Sequence, residues 1–147
     1  MWYKYTIWIE GTKVPSFIVA VFVEKAREKI KGQVVQLLEE HSDLFLIDVI
    51  VKGNIGTVKV VVILDGDNGV GIDNCVSISR QLSGFLEEED LIEGKYTLEV
   101  TSSGLEHPLQ LPRQYTKNVG RNVRVVCSDQ STHEGKLASV DEEKVTL

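Results

Sequence analysis

Leu44-Phe45-Leu46-Ile47-Asp48-Val49-Ile50-Val51-Lys52 is followed by Gly53-Asn54-Ile55-Gly56 and then by Thr57-Val58-Lys59-Val60-Val61-Val62-Ile63-Leu64-Asp65. Two runs rich in β-branched and aliphatic residues flank a four-residue loop with two glycines. That is the pattern of an antiparallel hairpin. Glycine takes positive φ at little cost, so the loop can reverse the chain tightly. Alternation places Val58, Val60, Val62 and Leu64 on one face of the second strand. A face so apolar has to be covered, and the flanking sequence supplies the cover.

Upstream, residues 24–41 carry Ala26, Ile30, Val34, Leu37 and Leu38 along one helical stripe. Downstream, Asp65-Gly66-Asp67-Asn68-Gly69-Val70-Gly71 forms a loop that leads into a second helix, expected over 74–89 with Asp73 as its N-cap. Cys75, Ile78, Leu82, Phe85 and Leu86 share one face of it, which makes Cys75 a small core residue. Glu87-Glu88-Glu89-Asp90 closes that helix with four like charges opposing the macrodipole, so its end is expected to fray. Residues 96–101 alternate as a third strand, with Tyr96, Leu98 and Val100 on one side. The order αββαβ predicts two helices packed on one face of a three-stranded sheet.

Residues 1–23 differ in texture, holding six of the ten aromatic residues. Phe17–Val23 is an apolar run of seven, superficially like a secretory h-region, but the segment before it is long and weakly basic and no small-residue cleavage site follows. Two readings stand: an extra strand pairing with the body, or a leader that runs into the first helix. The second is preferred, because nothing downstream requires the extra strand. After Pro108 and Pro112 the texture changes again, to short strand-like runs at Arg121–Cys127, Glu134–Val140 and Lys144–Leu147, as in a small all-β module. The expected organisation is therefore an extension over 1–23, an α/β domain over 24–111 and a β module over 112–147.

The chain of 147 residues is 42% apolar and 26% charged, ordinary for a globular protein. No apolar run approaches the ~20 residues that span a bilayer. Two cysteines fifty-two positions apart exclude a disulfide framework and a four-cysteine zinc site. The net charge of −6 excludes a surface that is basic throughout, but the charge is uneven. Residues 24–111 carry −8, whereas 112–128 hold Arg113, Lys117, Arg121 and Arg124 and no acid. An acidic body beside a basic segment implies two modules with different partners. A cationic strand with Tyr115 on its approach suits RNA; the same charges also serve a solvated edge strand against aggregation.

Catalytic patterns are weak. Gly66, Gly69 and Gly71 match neither the dinucleotide nor the P-loop order, and Asp65, Asp67 and Asp73 around them repel phosphate. The loop echoes a calcium site only faintly, with its glycine one position early and no bidentate glutamate at the required distance. His41, His107 and His133 stand apart from any nucleophile partner, and there is no Gly-x-Ser-x-Gly elbow. The expected reading is a non-enzyme without cofactor or metal.

Leu98-Glu99-Val100-Thr101-Ser102-Ser103-Gly104-Leu105-Glu106-His107-Pro108-Leu109 resembles the signature Leu-Glu-Val-Ser-Ser-Pro-Gly-Leu-Asp-Arg-Pro-Leu of the ribosome maturation factor RimP family. The hairpin strand Val60–Asp65, the segment Ile72–Ser83 and Tyr115…Gly120-Arg121-Asn122-Val123-Arg124-Val125 follow in the family's order. Two positions depart: Ser103 stands where the family has proline and His107 where it has arginine, which implies a less rigid loop and a lost cation. Residues 1–23 have no counterpart, and the chain stops before the last strands the family carries.

The resemblance implies an α+β protein, an αββαβ two-layer domain followed by a small SH3-like β-barrel that is incomplete at the C-terminus. It implies a cytoplasmic, non-catalytic factor that binds immature small ribosomal subunits and assists their assembly. On that reading Glu87, Glu88, Glu89 and Asp90 meet a basic ribosomal protein, while Arg113, Lys117, Arg121 and Arg124 contact RNA or the particle. Two rivals are a general RNA-binding adaptor with an Sm- or SH3-like tail, and a small enzyme using the aspartate-rich loop.

Overall fold

The computed structural model describes residues 16–54, 56–104 and 107–147, which divide into two compact units at Ser103 and Gly104. In the first unit, helix α1 (Ser16–Leu38) precedes strands β1 (Leu44–Lys52) and β2 (Val58–Gly66), helix α2 (Ile72–Glu88) and strand β3 (Tyr96–Ser102). The first helix thus begins well ahead of residue 24, and the run after Ser16 continues directly into it. Residues 1–15, on which both the extra-strand and the leader readings bear, lie outside the described residues.

The sheet order is β1-β2-β3, with β1 and β2 antiparallel and β2 and β3 parallel. A parallel pair needs a crossover, and α2 supplies it. Gly53 turns the hairpin at φ +109°, where a Cβ would overlap the carbonyl of Thr57. Ile30, Val34 and Leu38 from α1, Val58, Val60, Val62 and Leu64 from β2, and Ile78, Leu82 and Leu86 from α2 make one buried core. Burying each such side chain fully contributes roughly 1.5–3 kcal/mol relative to exposure. The central strand is buried on both faces from Val62 to Gly66.

Gly71, not Asp73, occupies the N-cap of α2, and no side chain caps it. Asp73 instead lies in the first turn, where a carboxylate still complements the helix dipole. Cys75 is half-buried, and burial raises its thiol pKa above the usual value.

In the second unit a short helix α3 (Pro112–Lys117) precedes β4 (Asn122–Val126), β5 (Thr132–Lys136), β6 (Ser139–Val140) and β7 (Val145–Thr146). These strands form two antiparallel pairs, β4-β5 and β6-β7, and among the described residues they close no barrel. Leu137 is the buried apolar anchor, and its backbone is tied on both sides: it accepts from Gly120 N–H at 2.7 Å and donates to Arg121 O at 2.9 Å. The expectation of strands alone after residue 112 missed α3. Its cue was Gln114, whose buried Oε1 accepts the N–H groups of Gln110 and Leu111 and closes the helix start.

Candidate functional site

The acidic run is held together by the way α2 ends. Leu86 points into the core and fixes the last turn, which leaves Glu87, Glu88, Glu89 and Asp90 exposed. Asp90 takes left-handed φ of 47°, its N–H donates to Glu87 O, and Leu91 N–H reaches back to Leu86 O. This is the bond pattern of a Schellman stop, with aspartate in the position glycine usually fills. Where the sequence predicts a frayed end, the structure has a hydrogen-bonded cap anchored by buried Ile92 just beyond it. Four carboxylates are thereby gathered on one turn, the first of which, Glu87, lines a groove with Tyr96 and Leu98 of β3.

The basic candidates are distributed over different elements. Arg113 and Lys117 sit one turn apart on α3. Arg121 precedes β4, with Nη1 3.4 Å from Asn118 Oδ1. Arg124 lies on β4 directly opposite Glu134 of β5, and its Nε is 2.7 Å from Glu134 Oε1. The stretch 112–128 lacks acids in sequence, but pairing brings one in from residue 134. An exposed pair of this kind is worth about 0–1 kcal/mol, so it screens Arg124 without locking it.

The signature segment spans three settings. Leu98–Ser102 is the end of β3, and Ser103 is buried with its N–H donating to Leu64 O at 2.9 Å. A proline at that position would lack this donor. Gly104, the first residue past the first unit, takes φ of 60°. Leu105 and Glu106 lie outside the described residues.

Asp65, near the end of β2, is buried and accepts Gly66 N–H at 2.8 Å, and Asp67 N–H donates to Asp43 O. These aspartates order the strand-to-helix turn. Among the described residues no group of three or more His, Cys, Asp or Glu side chains is placed to hold a metal ion. No described helix is long and apolar enough to cross a membrane.

An αββαβ unit with an acidic helix end, followed by a small β-rich unit, defines a two-module α+β protein. The RimP N-terminal domain matches residues 33–106. The ribosome maturation factor RimP of Cytophaga hutchinsonii is 37% identical over 126 residues, 85% of this chain and 75% of that protein. That of Flavobacterium psychrophilum is 38% identical over 121 residues, 82% of this chain and 74% of that protein. That of Christiangramia forsetii is 36% identical over 121 residues, with the same coverage of each. The chain belongs to the ribosome maturation factor RimP family, and its role is in ribosome maturation. The C-terminal domain of the magnetosome protein MamB from Desulfamplus magnetovallimortis aligns with 56% of this chain and 99% of its own at 10% identity, with a TM-score of 0.35, a likeness too slight to bear on fold or function.

Proposed function

We propose that this protein binds immature small ribosomal subunits and assists their assembly by binding energy alone, in the cytoplasm, with no bond made or broken. The observation that carries this reading is the exposed turn Glu87–Asp90, four carboxylates ordered by a hydrogen-bonded cap within a RimP-family domain. That turn is assigned to a cationic ribosomal protein. Arg113, Lys117, Arg121 and Arg124 of the second unit are assigned to RNA or particle contact. The second unit is read as part of an SH3-like barrel, with β4-β5 and β6-β7 as its two hairpins.

A factor of this kind shifts an assembly equilibrium only by its differential affinity for the two states. It stabilises an intermediate and leaves when later contacts form. Sedimentation of lysate tests the reading. The protein is expected with free small subunits and absent from translating ribosomes, with association falling as salt rises. Equal affinity for mature and immature particles overturns it.

The alternative, a general RNA-binding adaptor, draws on the four cations of the second unit. It expects RNA affinity to survive neutralisation of Glu87–Asp90, with no preference for immature particles.

A further inference from the structure

The two edges of the three-stranded sheet are finished differently. At β1 the extra residue Ile47 breaks the register between Leu46 and Asp48. Beyond that bulge the outward groups of Val49 are both occupied by side chains. Its N–H donates to Asp48 Oδ1 at 2.8 Å, and its carbonyl accepts from Arg27 Nε at 2.8 Å. A bulge and an inserted cation are two ways of blocking strand addition.

The β3 edge has neither. Its seven residues pair with β2 in unbroken register, and among the described residues no strand lies on its other side. Ser103 N–H points to Leu64 of β2, so backbone alternation turns the N–H and C=O groups of Leu98 and Val100 outward. Tyr96, Leu98 and Val100 pack against the core yet stay half-exposed. A groove at the start of β3 takes in Lys95 and Tyr96–Leu98 together with Val58 of β2, and its α2 wall is Ser79, Ser83 and Glu87. Those three recur every fourth residue, a repeat of about 6 Å along a helix, close to the roughly 6.6 Å between alternate residues of a strand.

We propose that the β3 edge takes up an extended, lysine- or arginine-bearing segment of a partner protein as a fourth strand, with its cations toward Glu87 and the carboxylates that follow it. Main-chain bonds to Leu98 and Val100 supply affinity, and alternate side chains facing the Ser79–Ser83–Glu87 wall supply selectivity. The inference rests on the reading of Glu87–Asp90 as a surface for a basic ribosomal protein and gives that surface a binding mode.

The probe is a capped eight-residue peptide of alternating lysine and threonine, titrated into the full chain while amide hydrogen exchange is followed. Exchange at Leu98 and Val100 is expected to slow at least about threefold, with the amides of β1 unchanged. Full N-methylation of the peptide is expected to weaken binding at least about tenfold, the worth of two lost hydrogen bonds of less than 1 kcal/mol each. Glu87→Gln is expected to weaken it about threefold, and Glu39→Gln to leave it unchanged. Unprotected Leu98 and Val100 at millimolar peptide, equal binding of the N-methylated peptide, or protection that appears with protein concentration alone overturns the proposal. Co-sedimentation with immature subunits is measured in parallel. Its loss with edge protection intact is a failure of the functional reading, and the converse is a failure of the edge alone.

Discussion

Arg124 Nε lies 2.7 Å from Glu134 Oε1, directly across the β4-β5 ladder, with both side chains largely exposed. The cation that sequence alone leaves unopposed therefore faces a cross-strand carboxylate. Glu134→Gln is expected to raise affinity for small-subunit rRNA about two- to threefold and to cost less than about 1 kcal/mol of stability. Fluorescence anisotropy across a salt series measures the first and urea unfolding the second. Unchanged RNA affinity would remove Arg124 from the contact surface.

Arg27 ties α1 to β1 through Val49 O and Asp48 Oδ1, at 2.8 and 3.2 Å. Arg27→Met keeps the length of the side chain and removes both bonds. The expected loss is about 1–2 kcal/mol in urea unfolding, since Val49 O loses its donor and Asp48 its counter-ion. Hydrogen bonding to Asp48 raises the pKa of Arg27, and a raised folded pKa gives stability that is fully present below the unfolded value. The contribution is therefore lost only as pH rises through the raised folded value, far into alkali, and the wild-type minus variant difference is expected to be flat across the neutral range.

The turn before β5 carries a testable titration. Ser131 donates its hydroxyl and its N–H to Asp129 Oδ1 at 2.6 and 2.9 Å, and these bonds hold the carboxyl below its ordinary pKa of 3.8. A depressed folded pKa gives stability present above the unfolded value and lost as pH falls through the folded one. Carboxyl NMR is expected to place the Asp129 midpoint below 3.8 and to move it upward in Ser131→Ala, which loses the hydroxyl bond and keeps the N–H.

Gly66 ends β2 where the chain folds back on itself. A Cβ there would overlap the carbonyl of Gly69 and stand 2.9 Å from Leu44 Cδ2. Gly66→Ala is expected to destabilise the first unit by about 2 kcal/mol or more, because backbone as well as side chain must shift. Thermal unfolding checks this, and an unchanged midpoint would mean that the loop yields without cost.

The sequence by itself determined the αββαβ order, the faces of the strands and the core residues Ile30, Val34, Ile78, Leu82 and Leu86. Apolar spacing is a local property, and it states which face must leave water whatever lies opposite. Charge along the chain was equally legible: the carboxylates of 87–90 and the cations of 112–128 are read directly from order. Tertiary structure decided what those charges face. Glu134 reaches Arg124 only because β4 and β5 pair, and Asp90 closes α2 only because Leu86 and Ile92 are buried on either side of the stop. The parallel pairing of β3 and the open edge it leaves depend on partners thirty-eight residues apart in sequence, as Val58 and Tyr96 are. Register between such distant strands is fixed by which faces can share one core, a constraint that no local pattern contains.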